Sequence, residues 1–343
     1  MGLYLKIRYS LLNYLEKDMK YKSSTLQNTY YEIEIDLLDD LKEQLKLRLI
    51  KAGIKTTTSN PIYDFFNFKK RFIEPKPRTI KKSKEFICPT GYELALNEIE
   101  EKILNGSNLS PYLSKEIKDA GYNDDILNDW NIHHLHLSRR MGKDGFVQRS
   151  NYQLFVFITD DICHLIQIYP HNKPHLYSTQ EMIKIIDKNW PDLLKRNLIK
   201  GDLTVSVNDA EYDELRKAHI TTFVQTEPNR MFGVIGGGYM SNGYSQSALS
   251  ASDFWHNICR KIEKDIINQS IFGIIDAIYQ VRDKCNCNLK IKLLFFKTEN
   301  DVVLFETTNN VIIEINYTEG YIRVCDPVEF FVTDKKIMSF AYK

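Results

Sequence analysis

The segment 152–169 constrains the fold of this chain more than any other. Leu154, Phe155, Val156, Phe157 and Ile158 are consecutive and apolar, a run that suits a strand covered on both faces. Asp160 and Asp161 interrupt it with turn chemistry. Residues 162–169 then alternate, with Ile162, His164, Ile166 and Ile168 on one parity. Upstream, 132–138 sets Ile132, His134 and His136 against His133, Leu135 and Leu137. Together these predict a three-stranded antiparallel meander. Helical spacing surrounds it. Leu37, Leu38, Leu41, Leu45 and Leu49 form a stripe that Gly53 ends, and Leu94, Leu96, Ile99 and Ile103 form another that Thr90 can cap. Segments 114–120 and 124–130 read as helical. Segment 179–195 reads as a covering helix with Met182, Ile183, Ile186 and Trp190 inward.

A second region begins near Gly201. It reads as a strand at 203–207, a helix at 210–218, a glycine loop through Gly236, Gly237 and Gly238, and a helix over 252–282 weakened at Gly273. Ser252 or Asp253 is its expected cap. Four short strands follow at 289–296, 302–306, 311–317 and 321–324, with Asn309-Asn310 and Glu319-Gly320 as turns. The fold class is α+β: helices followed by an antiparallel meander sheet, then a second α+β C-terminal domain. At 343 residues the chain suits more than one domain. The expected division is 1–60 as an N-terminal helical segment, 61–89 as a basic, proline-containing linker, 90–199 as the histidine-rich domain, and 200–343 as the C-terminal domain.

Lys plus Arg is 46 and Asp plus Glu is 45. A balance so close to neutral excludes global attraction to nucleic acid or acidic membranes, so such binding needs a local patch. The densest basic run is Lys69, Lys70, Arg71, Lys76, Arg78, Lys81, Lys82 and Lys84, opposed by Glu74. It reads first as a solvated linker and second as a strap that neutralises phosphates or engages a protein partner. Cysteines are scattered, and Cys285 and Cys287 make C-x-C rather than the C-x-x-C of redox or zinc sites. Reduced thiols in a cytoplasmic protein are the expectation. Residues 1–15 lack the apolar core of a secretion signal, Lys6 stands where myristoylation needs Ser or Thr, and no membrane partner is expected.

Chemistry concentrates in the histidines. His133, His134, His136, His164, His171 and His175 lie within one sheet-forming region. His134 and His136 share a strand face. His164 shares its parity with isoleucines and reads as a core residue. His171 follows the last strand. RNA carries its own nucleophile in the 2′-hydroxyl, so its cleavage needs only a base, an acid and cations at the phosphate. His134 or His136 as base, His171 as acid, and Arg139 or Arg149 as clamp, with Arg140 and Lys143 nearby, meet that need without metal or cofactor. A second reading is a metal-dependent hydrolase or nuclease holding zinc on the H-x-H pair with His171 or His175. A third is a binding module without catalysis. The glycine loop lacks the Lys-Ser/Thr of a Walker motif and the G-x-G-x-x-G spacing, so an ordinary turn is expected, with Asn242, Tyr244 and Ser245 exposed.

Tyr152-Gln153-Leu154-Phe155-Val156-Phe157, Asp160-Asp161 and Ile166-Gln167-Ile168-Tyr169-Pro170-His171, set after two helices, resemble the RelE/HigB-type ribonuclease toxins over about residues 90–177. The segment Asn128-Asp129-Trp130-Asn131-Ile132-His133-His134-Leu135-His136-Leu137 is similar to a pattern in an uncharacterised bacterial family that carries no assigned activity. The toxin resemblance implies arginines beside the first strand that bind the scissile phosphate. It also implies a cytoplasmic bacterial endoribonuclease, toxin-like or serving antiviral defence. The partners implied are RNA and an antitoxin or other protein, with a homodimer as a further expectation.

Overall fold

The computed structural model describes residues 32–268, 274–282, 284 and 286–333. The expectations for residues 1–31, Gly273 and Cys285 lie outside them. The elements run β1 (Glu32–Ile35), α1 (Leu37–Lys51), α2 (Pro61–Arg71), β2 (Thr79–Lys82), α3 (Glu93–Leu104), α4 (Asp125–Trp130), β3 (Ile132–His136), β4 (Tyr152–Ile158), β5 (Ile162–Pro170), α5 (Glu181–Asn189), β6 (Leu198–Ile199), α6 (Asp209–Lys217), β7 (Val224–Glu227), β8 (Arg230–Phe232), α7 (Gln246–Ile267), α8 (Ile274–Val281), β9 (Asn288–Thr298), β10 (Asp301–Glu306), β11 (Val311–Asn316), β12 (Tyr321–Cys325) and α9 (Pro327–Thr333). The class is α+β, as expected. Among the described residues no helix is long and apolar enough to cross a membrane.

Two compact units emerge, one made of Leu45–Ser252 and the other of the described residues on either side of that span. This corrects the expected boundaries. β6 pairs with β8, and Tyr212, Val224 and Phe232 share one core with Trp130 and Phe155. Residues from 200 to 252 therefore belong with the histidine-rich region; Gly201 marks a turn, not the edge of a core.

In the Leu45–Ser252 unit the main sheet has the order β2-β5-β4-β3. β3, β4 and β5 form the antiparallel meander. One face carries Leu135, Leu154, Val156 and Leu165 against Leu96, Ile99 and Ile103 of α3. The other carries Ile132, Phe155, Phe157 and Ile166 against Met182, Ile183 and Ile186 of α5. Helices on both faces explain why β4 has no polar alternation. Each large side chain so buried contributes on the order of 1.5–3 kcal/mol.

The stretch expected as a linker is structured instead. Asn60 caps α2 by accepting from Ile62 N and Tyr63 N at 3.1 and 3.2 Å, and Pro61 takes the first helical turn, where no N–H is needed. β2 extends the sheet, parallel to β5 from Thr79↔Ile162 to Lys82↔Leu165. Several of its cations are spent inside the fold. Arg71 donates to the carbonyls of Asn67, Glu116, Asp119 and Ala120. Arg78 donates to those of Thr159 and Glu74, Lys82 pairs with Glu100 at 2.7 Å, and Lys76 lies near Asp160 and Asp161. A count of charges along the sequence does not show how carbonyl oxygens absorb guanidinium groups, so the strap reading loses both of its arginines. Two further corrections concern 203–207, which forms no strand, and α7, which starts at Gln246, ahead of Ser252 and Asp253.

The other unit holds a five-stranded sheet, β1-β9-β10-β11-β12, with β1 parallel to β9 and the rest antiparallel. The four expected strands are β9 to β12. The Asn309-Asn310 turn is organised by buried Glu306, whose carboxylate accepts from Thr308 N, Asn309 N and Asn309 Nδ2 at 2.9, 2.7 and 2.9 Å. Asn310 takes the left-handed conformation, which asparagine tolerates.

Candidate functional site

Helix α4 ends at Asn131, whose left-handed backbone (φ 58°) turns the chain into β3. The register His134↔Phe155 and His136↔Gln153 then sets His134, His136, Phe155 and Gln153 on the α5 face of the sheet. His133 takes the opposite parity. The His134 and His136 rings lie 6.2 Å apart. Tyr177 leans on His134 at 5.4 Å and donates its hydroxyl to Gln153 Oε1 at 3.0 Å. The Nδ1 atoms of His134 and His136 are both buried without a partner. His136 is only 8% exposed, whereas the Tyr177 ring beside His134 is 36% exposed.

Burial pushes His136 down to about 4, and the nearby charges of His134, His171 and Arg149 press the same way. Burial lowers His134 too, with His171 adding to it. His133 is likewise driven by burial to about 4. These imidazoles are neutral at pH 7 and able to accept a proton. His171 is exposed on the turn after β5, held there by its backbone N–H donating to Asn151 O at 2.7 Å. The structure thus brings His134 and His136 together, with His171 and Arg149 close enough for their charges to be felt.

The remaining expected residues sit elsewhere. Arg139 is turned to Glu98 of α3 (Nε to Oε2 3.5 Å), on the other side of the sheet. Arg140 and Lys143 are exposed on the loop closed by the Met141↔Val147 bridge. His164 is a core residue, with Nδ1 3.3 Å from Phe157 O and its ring on Trp190. His175 Nδ1 lies 3.2 Å from Asp213 Oδ2. Among the described residues no three His, Cys, Asp or Glu side chains converge to hold a metal ion. The H-x-H pair therefore gains no third ligand there. Ser245, expected to be exposed, is fully buried.

Tyr177 and Gln153 were not among the expected site residues. Gln153 carried a signal, being the polar exception in an apolar strand. Tyr177 carried none, since its position depends on tertiary packing.

The depressed histidines make stability depend on pH. As pH falls below about 6.5 the unfolded chain binds a proton at His136, while the folded chain resists until about 4. Stability is thus full above that window and lost on descending through it, by up to about 3 kcal/mol for this group. Urea unfolding at about pH 7.5 and 4.5 is expected to show that loss, and His136→Gln to shrink it. An equal loss in the variant would contradict the assignment.

No family model matches the chain, and no curated protein or solved structure is significantly similar to it.

Proposed function

We propose that the chain is an endoribonuclease, toxin-like or defensive in role, that cleaves RNA by metal-independent transesterification. The observation that carries this reading is the pair of neutral imidazoles with unpartnered Nδ1 atoms, with an exposed histidine and an arginine, from the loops that flank β5 and β4, near enough for their charges to act on His136. His136 takes the 2′-hydroxyl proton, O2′ attacks phosphorus, and the departing 5′-oxygen takes a proton from His171. Arg149 stabilises the charge gained at phosphorus. Tyr177, a partly exposed ring beside His134, offers a face on which a base can stack. The order of helices and meander over 90–177, which resembles RelE/HigB-type toxins, supports the same reading.

Purified protein incubated with cellular RNA in EDTA at about pH 7 is expected to yield fragments ending in 2′,3′-cyclic phosphate and 5′-hydroxyl. Intact RNA, or cleavage that requires an added divalent cation, would overturn the proposal.

A further inference from the structure

Lys70 of α2 makes no ion pair among the described residues. Its Nζ is surrounded by Gly236 O at 2.7 Å, Asn128 Oδ1 at 2.9 Å, Ser247 Oγ at 3.0 Å and Ser245 Oγ at 3.2 Å. The two serine hydroxyls are 3.2 Å apart. All of these residues belong to the Leu45–Ser252 unit. A neutral amine has two N–H groups and one lone pair. A carbonyl oxygen and an amide oxygen can only accept, so Gly236 and Asn128 take the two N–H groups, and the lone pair is left to the hydroxyls. Burial lowers Lys70 to about 8, against the opposing pull of Asp124 and Asp129, so a free amine is within reach near neutral pH. The glycine loop and the start of α7 present only carbonyl and hydroxyl groups to it.

The surroundings keep one hydroxyl available. Ser247 is exposed, whereas Ser245 is fully buried. Ser245 precedes α7, where a serine normally caps the helix. Here its hydroxyl faces Lys70 and Ser247 instead, and the N–H groups of Ser247 and Ala248 have no acceptor among the described residues. Gly237, at φ +97°, passes so close that a Cβ would lie 3.0 Å from Ser247 Cβ and 3.4 Å from its Oγ. Gly236 is bound against α4, where a Cβ would meet Leu127 O at 2.2 Å. Asn128 itself is buried and its Nδ2 has no acceptor, a spare donor beside the cluster.

We propose that Ser247 is a nucleophile activated by Lys70, and that this corner is a second reactive centre, acting by acyl transfer on an ester or amide carbonyl. Ser247 Oγ bonds to the carbonyl carbon as its proton passes to Lys70 Nζ, directly or through Ser245. The resulting ammonium returns that proton to the leaving alkoxide or amine as the carbon–heteroatom bond breaks. Water, deprotonated by the amine so regenerated, then bonds to the acyl carbon, and Ser247 Oγ leaves with the proton held on Lys70 as the acyl group departs as a carboxylic acid. The centre is independent of the histidine cluster, and neither reading depends on the other.

A fluorophosphonate probe applied to the full chain at about pH 8.5 is expected to give one adduct, mapped to Ser247. Ser247→Ala should abolish it with an unchanged melting temperature. Lys70→Met should slow labelling by about 10²-fold or more, and the wild-type rate should rise with pH through about 8 and then level off. The proposal is overturned by folded wild-type protein that takes no label, by an adduct mapped elsewhere, or by a Lys70→Met protein that labels at the wild-type rate. If Lys70→Met does not fold, the pH profile decides, and a rate that rises without a plateau overturns the role of Lys70.

Discussion

Asp129→Ala is expected to cost about 3–5 kcal/mol of stability, the usual penalty for leaving one partner of a buried ion pair alone. Asp129 and Arg216 are 2% and 3% exposed and lie 2.8 Å apart. Asp129 Oδ2 also accepts from Arg216 Nε at 3.2 Å and from Tyr212 Oη at 2.9 Å. The guanidinium stacks over Trp130 at 4.3 Å and donates to Tyr177 O and Ser178 Oγ. With the carboxylate gone, this cation would remain buried without a countercharge. Asp129→Leu combined with Arg216→Met should recover much of the loss, because no uncompensated charge remains. Urea unfolding of the single and double variants checks both statements. A single-variant loss below about 1 kcal/mol would show that water reaches the pair. Because Arg216 holds the backbone of Tyr177, the single variant should also loosen the ring that lies against His134.

The largest effect on activity is expected at His136 and His171. His136→Gln keeps the side chain polar but removes the imidazole, and His171→Ala trims an exposed group. Each should lower RNA cleavage by about 10²–10⁴-fold, the range for loss of a general base or acid. His171→Ala should leave the melting temperature within about 2 °C, since exposed substitutions cost little. Arg149→Ala should slow cleavage, whereas Arg139→Ala should not, because Arg139 is engaged with Glu98 across the sheet. Rates measured on one defined RNA in EDTA separate these outcomes. Wild-type cleavage by His136→Gln would remove this histidine from the mechanism.

Much of the architecture was legible because it is local. The unbroken apolar run 154–158 announced a strand covered on both faces, and the parity of 132–136 set two imidazoles side by side. What stayed hidden was long-range. Nothing near residues 79–82 says that they pair with 162–165, and prolines that read as breaks serve as a helix start and a strand approach. The same holds for the sites. His134 and His136 are two positions apart, so strand periodicity was enough. Arg139 departs from the histidine face because Glu98 lies on a helix packed against the other side. Lys70, Asn128, Ser245 and Ser247 come from distant segments, and a basic run hides a lysine that the fold buries beside two hydroxyls.

The pairing of β1 with β9 has a consequence for biosynthesis. Residues 32–35 leave the ribosome early, yet their partners at 288–291 follow only after the whole of the intervening unit. At about 5–20 residues per second, that nascent edge waits on the order of ten seconds or more. The intervening unit can fold within that interval, so the pairing of β1 with β9 is left to form after it.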